Sequence, residues 1–562
     1  MAIRAKMPFR FTVHFTLFLI AALSDGISAE LKASCALPIF VVTTDSRPIV
    51  DRNRIPALAG IVEDLTAQTP RLDFEQAEIS LRGNSTFHFQ KRGYRLEFQT
   101  SGGQDKKVSL LGMPANSDWV LYASPTDRTF ARNLLAHELW RAMGHYAVRW
   151  RFVELFVDTN SILQIRDTKK QRAQIDTALD AWSTNIFSEG RIGGVAREKA
   201  EVQLGESYQG LYIVLEKIKR GKERVAIARL HPTDKGEPEI SGGYIIKKDD
   251  QGPGEKGLLT GQEFKVRFEE PKERELTAEQ RQWVTKFLDD FETALYSRQF
   301  RDPTKGYPAY IDVDSFIDFH WLVELAKNAD GYWFSQYMHK DRGGKLTMGP
   351  IWDWDRTFGN PHFPEQATNG WRFYAAADPD YTWYRRLFED PDFLQRYIDR
   401  WAELRTNVFW TSNIFALVDR IASQASSAFQ RNAQRWEAGR ADVTLRAKAG
   451  VPHSAEVEDL KRWIRGRLEW IDSQEFPRPK LSVAPTGDTG MNQISMSCLF
   501  GRIFFTTNRL DPRLRGGSPS PQAFEYTQPI VLTNGIVVTA RVKSDYGLWS
   551  APVVFNGSNT VR

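Results

Sequence analysis

Apolar residues repeat at one spacing in the first half of this chain and at another in the second. Up to about residue 248 they alternate in short runs, the period of strands with a buried face. Leu37-Pro-Ile-Phe-Val-Val opens the series. Ile79 and Leu81 follow, then Tyr94-Arg-Leu-Glu-Phe, Trp119-Val-Leu-Tyr, Phe152-Val-Glu-Leu-Phe-Val, Leu211-Tyr-Ile-Val-Leu and Tyr244-Ile-Ile. One helix interrupts them. Asp127 is its expected cap, Leu134, Leu135, Leu139 and Met143 are its apolar stripe, and Gly144 stops it. From Thr277 the period becomes helical. Helices are predicted over Thr277–Leu295, Asp314–Lys327, Leu387–Phe409, Ile414–Arg435 and Val457–Phe476. Past Pro477-Arg-Pro-Lys the alternation returns, in Ile503-Phe-Phe, Ile530-Val-Leu, Ile536-Val-Val and Val553-Val-Phe, with Gly, Pro and Ser in the turns. That pattern predicts a small β-sandwich over residues 480–562. The class is α+β: a strand-rich lobe, a helical lobe, then an all-β module. At 562 residues the chain is too long for one ordinary domain.

The N-terminus reads as an export signal. Arg4, Lys6 and Arg10 precede an apolar run from Phe11 to Leu23, and small residues follow to Ala29. Cleavage near residue 29 is expected, because the run is shorter than the roughly 20 apolar residues a membrane span needs. No later segment reads as a span, so the expected location is periplasmic, cell-surface or extracellular. Cys35 and Cys498 are the only cysteines. A disulfide between them and two separate thiols both stay open. Basic and acidic residues number 75 and 70 and are interspersed, so nucleic acid is not a favoured partner.

Chemistry concentrates between Leu325 and Asn360. Asn328-Ala-Asp330 follows the end of a predicted helix, where an aspartate suits acceptance of a hydroxyl proton and an asparagine suits metal coordination. Asp353-Trp-Asp355 follows Met348-Gly-Pro-Ile. In an extended backbone these two carboxylates face one side, and magnesium takes one or two carboxylates plus phosphate and water. The plainer reading makes Asp330-Gly331 a turn pair and Asp353 and Asp355 surface carboxylates beside Arg356. Trp352, Trp354, Trp371 and Trp383 suit either core and cleft walls or a sugar or adenine site. For phosphates, the polar turn Arg82-Gly83-Asn84-Ser85-Thr86 and the cations Lys91, Arg95 and Lys217, with Glu216 beside the last, are the candidates.

Several of these segments, in this order, resemble the spore-coat protein H (CotH) kinase family. They are Leu81-Arg-Gly-Asn-Ser-Thr, Lys91-Arg-Gly-Tyr-Arg-Leu-Glu-Phe, Arg132-Asn133 with Glu138, Tyr208-Gln-Gly-Leu-Tyr with Glu216-Lys217, Asn328-Ala-Asp330, Tyr337-Met-His-Lys-Asp, and Gly349-Pro-Ile-Trp-Asp353-Trp-Asp355-Arg-Thr-Phe-Gly-Asn360. The likeness spans roughly residues 37–476, with residues 158–206 as an insertion. It implies an atypical protein-kinase-like two-lobed fold that uses ATP and Mg2+, or another divalent cation, to phosphorylate protein serines or threonines. It further implies Asp330 as base with Asn328 beside it, Asp353 as metal ligand with Asp355 as a second, and Lys217 as the leading nucleotide-phosphate contact. The His-Arg-Asp, Asp-Phe-Gly and G-x-G-x-x-G signatures of ordinary kinases are absent. The C-terminal segment, through Phe504-Phe-Thr-Thr-Asn-Arg and Trp549-Ser-Ala, resembles the chitobiase/hexosaminidase C-terminal β-sandwich, which implies a carbohydrate contact.

The expected protein is therefore an exported kinase acting on an envelope or matrix protein. A non-catalytic surface or matrix-assembly protein on the same fold is the main alternative. A carbohydrate-active protein is the third, although no paired acid and nucleophile stands out.

Overall fold

The computed structural model describes residues 37–44, 47–62, 74–83, 89–159, 207–249, 256–360, 367–376, 378–437, 450–487, 490–533, 535–556 and 560–561. The expected export signal, Cys35, Asn84, Ser85 and residues 160–206 lie outside the described residues. No described helix is long and apolar enough to cross a membrane. The architecture is mixed α+β, and the chain divides into two compact units. One takes residues up to 135, 148–218 and 417–460, and the other takes 136–147, 219–416 and 461–562.

The strand-rich unit is a closed barrel. Its strands are β1 (Ile39–Thr43), β2 (Ile55–Val62), β3 (Glu75–Arg82), β4 (Gly93–Phe98), β7 (Asp118–Tyr122), β8 (Trp150–Asp158) and β9 (Tyr208–Glu216), and a small hairpin of β5 (Val108–Leu110) and β6 (Met113–Asn116) lies between β4 and β7. The order around the barrel is β1-β2-β3-β4-β7-β9-β8. All pairs are antiparallel except β1 with β8, which run parallel in the register Val42↔Val157 and close the ring. Closure leaves no exposed sheet edge among these strands. Alternation along each strand fills the interior: Tyr94, Leu96 and Phe98 of β4 point in with Ile79, Leu81, Trp119, Leu121, Val153 and Leu155. Strand β8 is buried on both faces because its outward Glu154 pairs with a helix residue. Glu154 accepts from Arg431 at 2.8 and 2.7 Å and from the Tyr208 hydroxyl at 2.7 Å.

In the other unit, α2 (Ala278–Tyr296) begins at Thr277, whose side chain accepts from the Gln280 N–H in a capping box. Helix α3 (Val313–Ala326) is capped by Asp312 and buried from Ser315 to Ala326. A five-stranded sheet runs in the order β11 (Leu258–Leu259), β12 (Lys265–Glu270), β10 (Tyr244–Lys248), β13 (Gln336–Lys340), β14 (Leu346–Met348). The other described helices are α1 (Arg132–Ala142), α4 (Asp378–Leu387), α5 (Pro391–Arg405), α6 (Thr411–Glu437) and α7 (His453–Gln474).

Two expectations need correction. The single helix expected over Leu387–Phe409 breaks after Leu387 and restarts at Pro391. Proline cannot continue a helix but is well placed to start one, and Asp390 caps the restart by accepting from the Asp392 N–H. Asp127 acts on α1 from five residues before its start, through a loop. Its carboxylate accepts from the Arg132 and Thr129 N–H groups and from Arg132 Nη1.

The C-terminal strands form two sheets. One is β15 (Lys480–Pro485), β16 (Met491–Ser497) and β19 (Ile530–Thr533). The other orders β18 (Phe524–Glu525), β17 (Arg502–Thr506), β20 (Val537–Lys543), β21 (Val553–Asn556) and β22 (Thr560–Val561). Ile494, Met496, Ile503, Phe505, Val538, Val542 and Phe555 share one core. Cys498 is half-buried, and its Sγ donates to the Gly501 carbonyl at 3.6 Å. The described C-terminal strands and α5 belong to the same compact unit and are joined by Arg541, which bonds Asp399 of α5 and Asp511.

Backbone geometry at Gly210 links β9 to α6. Gly210 has φ +88°, and a Cβ there would lie 2.5 Å from Asn432 Oδ1. That oxygen already accepts from Lys91 Nζ and the Leu211 N–H. Both the left-handed φ and the close approach require glycine. Gly210→Ala is expected to lower the urea midpoint by an amount equal to about 1–3 kcal/mol, while Gly236→Ala, with open space around it, stays near wild type. A wild-type midpoint for Gly210→Ala would refute the packing.

Candidate active site

Helix α3 positions the first half of the site. It is apolar nearly all round, yet Glu324 sits fully buried in its last turn. A charge there needs internal partners. Glu324 receives the Tyr332 hydroxyl at 2.8 Å, the Phe373 N–H at 2.9 Å and the Arg372 N–H at 2.7 Å. The equally buried Arg467 of α7 donates to the Glu324 carbonyl at 3.0 and 2.6 Å and reaches its carboxylate at 3.4 Å. Burial pushes the Glu324 carboxyl up, and Arg467 opposes it.

The helix then ends abruptly. Lys327 takes a left-handed conformation, φ 45° and ψ 50°, and its ammonium is held by the carbonyls of Ala367 and Asn369 at 3.0 and 2.7 Å. The chain turns through Asn328, whose Oδ1 accepts from the Asp330 N–H at 3.0 Å. Arg372 clamps this loop by donating to the carbonyls of Asn328 and Ala329.

The second half is the Ile351–Asn360 segment. Its backbone is laid against the first half by Ala329 N–H to the Arg356 carbonyl at 3.2 Å and Phe358 N–H to the Ala326 carbonyl at 2.7 Å. Gly359 lets it pass under α7, since a Cβ there would lie 2.2 Å from the Trp463 ring at φ +65°. Asp353 has φ 64°. The extended run assumed for Asp353-Trp-Asp355 is therefore broken, and the two carboxylates do not share a face: Asp353 is exposed and Asp355 is buried. Left-handed non-glycine residues concentrate here, at Lys327, Ser335, Asp353 and Phe358. Backbone of that kind persists where surrounding contacts enforce it, as at functional sites. Trp352, Trp354 and Trp383 are buried core residues, and Trp371 packs on Trp321 and Trp470.

The structure brings Asp330, Asn328, Asp353 and Arg356 together. Arg356 Nη1 donates to Asp330 Oδ1 at 2.9 Å. Oδ2 has no hydrogen-bond partner among the described residues, and the side chain is 22% exposed. Burial raises the Asp330 pKa, Arg356 counters it, and the nearby Asp353 charge raises it further. Among the described residues no group of three or more His, Cys, Asp or Glu is placed to hold a metal ion unaided. The hard oxygen donors present, led by the exposed Asp353, fit a magnesium that draws most of its ligands from phosphate and water.

The barrel candidates are placed separately. Lys217 Nζ lies 3.6 Å from Asp118 Oδ1 and is partly exposed. Arg95 is half-buried on β4, opposite Val120, and Arg82 ends β3 beside Gly83. Lys91 and Glu216, grouped with the nucleotide contacts by sequence, are bound internally. Lys91 is buried, donates to the Leu211 carbonyl at 2.5 Å and Asn432 at 2.9 Å, and lies over the Tyr212 ring. Glu216 is fully buried and accepts from the Arg149 N–H and guanidinium at 2.9 and 2.8 Å. Sequence reading missed Glu324, Arg372 and Arg467. A lone Glu within an otherwise apolar helical run was the one available signal for them.

The raised Asp330 pKa has a definite sign. Its contribution to stability is fully present below the usual carboxylate range and is lost as pH rises through the raised value. Asp330→Asn should therefore melt higher than wild type at pH 8, with the difference vanishing near roughly pH 4. Equal melting temperatures at both pH values would contradict the buried, charge-crowded placement.

No curated protein is similar enough to the chain to be matched. A family model described as CotH kinase protein matches residues 79–471, which include both halves of the site. The match covers well over half of the sequence, and the chain belongs to the CotH kinase family.

Proposed function

We propose that this protein is an exported, metal-dependent kinase that transfers the γ-phosphoryl group of ATP to a serine or threonine of an envelope or matrix protein. The observation that carries the reading is the placement of Asp330 next to Asp353 on two segments pinned together by backbone hydrogen bonds, in a chain of the CotH kinase family. Phosphoryl transfer needs positioning and charge stabilisation more than covalent help. Asp330 Oδ2 takes the proton of the acceptor hydroxyl. The hydroxyl oxygen bonds to the γ-phosphorus as the bond to the β-phosphate oxygen breaks, and ADP leaves with that electron pair. Burial makes the carboxylate a stronger base. Arg356 fixes its orientation through Oδ1. A divalent ion held by Asp353, with Asn328 as a further oxygen donor, would neutralise phosphate charge, whereas the buried Asp355, on another face, does not join that set. Lys217, Arg82 and Arg95 are carried as nucleotide-contact candidates on the family match alone. The internal bonds of Lys91 and Glu216 favour a structural role for those two, and they are also what a non-catalytic surface protein on this fold would retain.

Incorporation of labelled γ-phosphate into the chain itself and into a generic Ser/Thr-rich acceptor, with ATP and Mg2+ or Mn2+, tests the proposal. Asp330→Asn and Asp353→Asn should each reduce transfer by about 10²–10⁴-fold. Wild-type transfer in both variants would remove the site assignment. ATP with Mg2+ at 100 times its Kd should stabilise the fold by about 2.7 kcal/mol, and Lys217→Ala should weaken that effect. No stabilisation and no transfer would select the non-catalytic reading.

A further inference from the structure

The short link that carries the chain from α7 into the C-terminal strands begins with a poorly partnered carboxyl group. Glu475 follows the last residue of α7. Phe476, next to it, packs on the core shared by the two C-terminal sheets, its ring centre 5.4 Å from that of Phe500. Pro477 and Pro479 come next, and β15 starts at Lys480. Each proline has a fixed φ, so the link is stiff as well as short. A change at Glu475 is therefore felt both by the end of α7 and by the seat of Phe476. All of these residues belong to one compact unit.

The surroundings of Glu475 do not suit a charge. Its Oε1 is shielded from solvent and accepts no hydrogen bond among the described residues. The cation that reaches its Oε2 is Arg478 of the link, at 4.0 Å, which is too long for a hydrogen bond. Arg405 of α5 is committed elsewhere. Its Nε and Nη2 each donate to Asp472 at 2.9 Å, and its Nη1 donates to the Phe409 carbonyl. Asp472, three residues before Glu475, adds a like charge. On the side of the C-terminal strands, Cys498 packs on the same core as Phe476, and burial holds it as a neutral thiol. An ionised carboxylate buried without donors costs free energy that the neutral acid avoids. Burial accordingly pushes the Glu475 carboxyl up to about 7, with Arg478 and Arg405 opposing the shift and Asp472 adding to it.

We infer that Glu475 is a proton-operated latch between α7 and the C-terminal strands, closed while its carboxyl is protonated and loosened when it ionises and turns toward water. The neutral acid stays in its shielded place and Phe476 stays seated. The carboxylate gains solvation by leaving that place, and the adjoining Phe476 is drawn with it. The folded pKa lies above the unfolded one, so the contribution to stability is fully present below the usual carboxylate range and is lost as pH rises through about 7. The latch does not depend on the kinase reading.

Amide hydrogen exchange of the full chain between pH 6 and pH 8, corrected for the intrinsic exchange rate, tests it. Protection of residues 471–485 should fall about tenfold across that range, as expected when opening releases a carboxyl from a pKa near 7 to an ordinary one. Glu475→Gln keeps the shape and removes the ionisation, so its protection should be the same at both pH values. Arg478→Ala, at a partly exposed side chain, should keep the fold and move the midpoint of the fall to higher pH, which covers failure of Glu475→Gln to fold. Equal protection at pH 6 and pH 8 in the wild type, an undiminished fall in Glu475→Gln, or an unmoved midpoint in Arg478→Ala would each overturn the inference.

Discussion

Glu324 and Arg467 are both completely buried and bonded to each other, and the site loop rests on them. Burying two opposite charges repays their desolvation only when the remaining lone pairs and protons also find partners. Here they do. Glu324 takes Tyr332, Arg372 and Phe373, while Arg467 takes the carbonyls of Glu324, Thr368 and Gly370. Removing either partner would leave an unpaired buried charge, which costs about 3–5 kcal/mol. The network ties the end of α3 to residues 367–376, and Arg372 extends from there to hold the loop that carries Asp330. Asp330 is thus fixed from below by charges that have no contact with the chemistry themselves.

The barrel meets a different demand. Seven strands from separate stretches of chain must share one interior, and the charges buried with them must find partners. Glu154 under Arg431, Lys91 under Asn432 and Glu216 under Arg149 all do this. Charged residues like these look like chemistry in a sequence because such side chains usually face solvent or a ligand. Their partners lie up to 341 positions away, so nothing local reveals that they are internal.

The site itself was partly legible. Asn328-Ala-Asp330 and Asp353-Trp-Asp355 stand out as compact polar motifs at the end of a helix and after a Gly-Pro step. Their mutual approach is set by two backbone hydrogen bonds, from Ala329 and Phe358, that no periodicity predicts. The assumption of an extended Asp353–Asp355 run failed for a physical reason: φ at Asp353 is +64°, and strand alternation holds only for extended backbone. Arg356, named in the sequence only as the residue beside Asp353 and Asp355 in the plainer reading, is the residue that grips Asp330.

Local patterning determined the elements themselves. Thr277 opens a helix because its side chain caps Gln280, Pro391 restarts one because Asp390 precedes it, and alternating Tyr94, Leu96 and Phe98 line one face because a strand has period two. These are interactions between residues a few positions apart, and the order of residues contains them. Only the tertiary structure decided that β1 closes on β8 to make a barrel, that Lys91 and Glu216 are internal, and that Asp353 stands beside Asp330 with one carboxylate exposed and the other partly buried. Those outcomes depend on pairings across tens to hundreds of residues, where burial and hydrogen-bond satisfaction are settled by the whole fold at once.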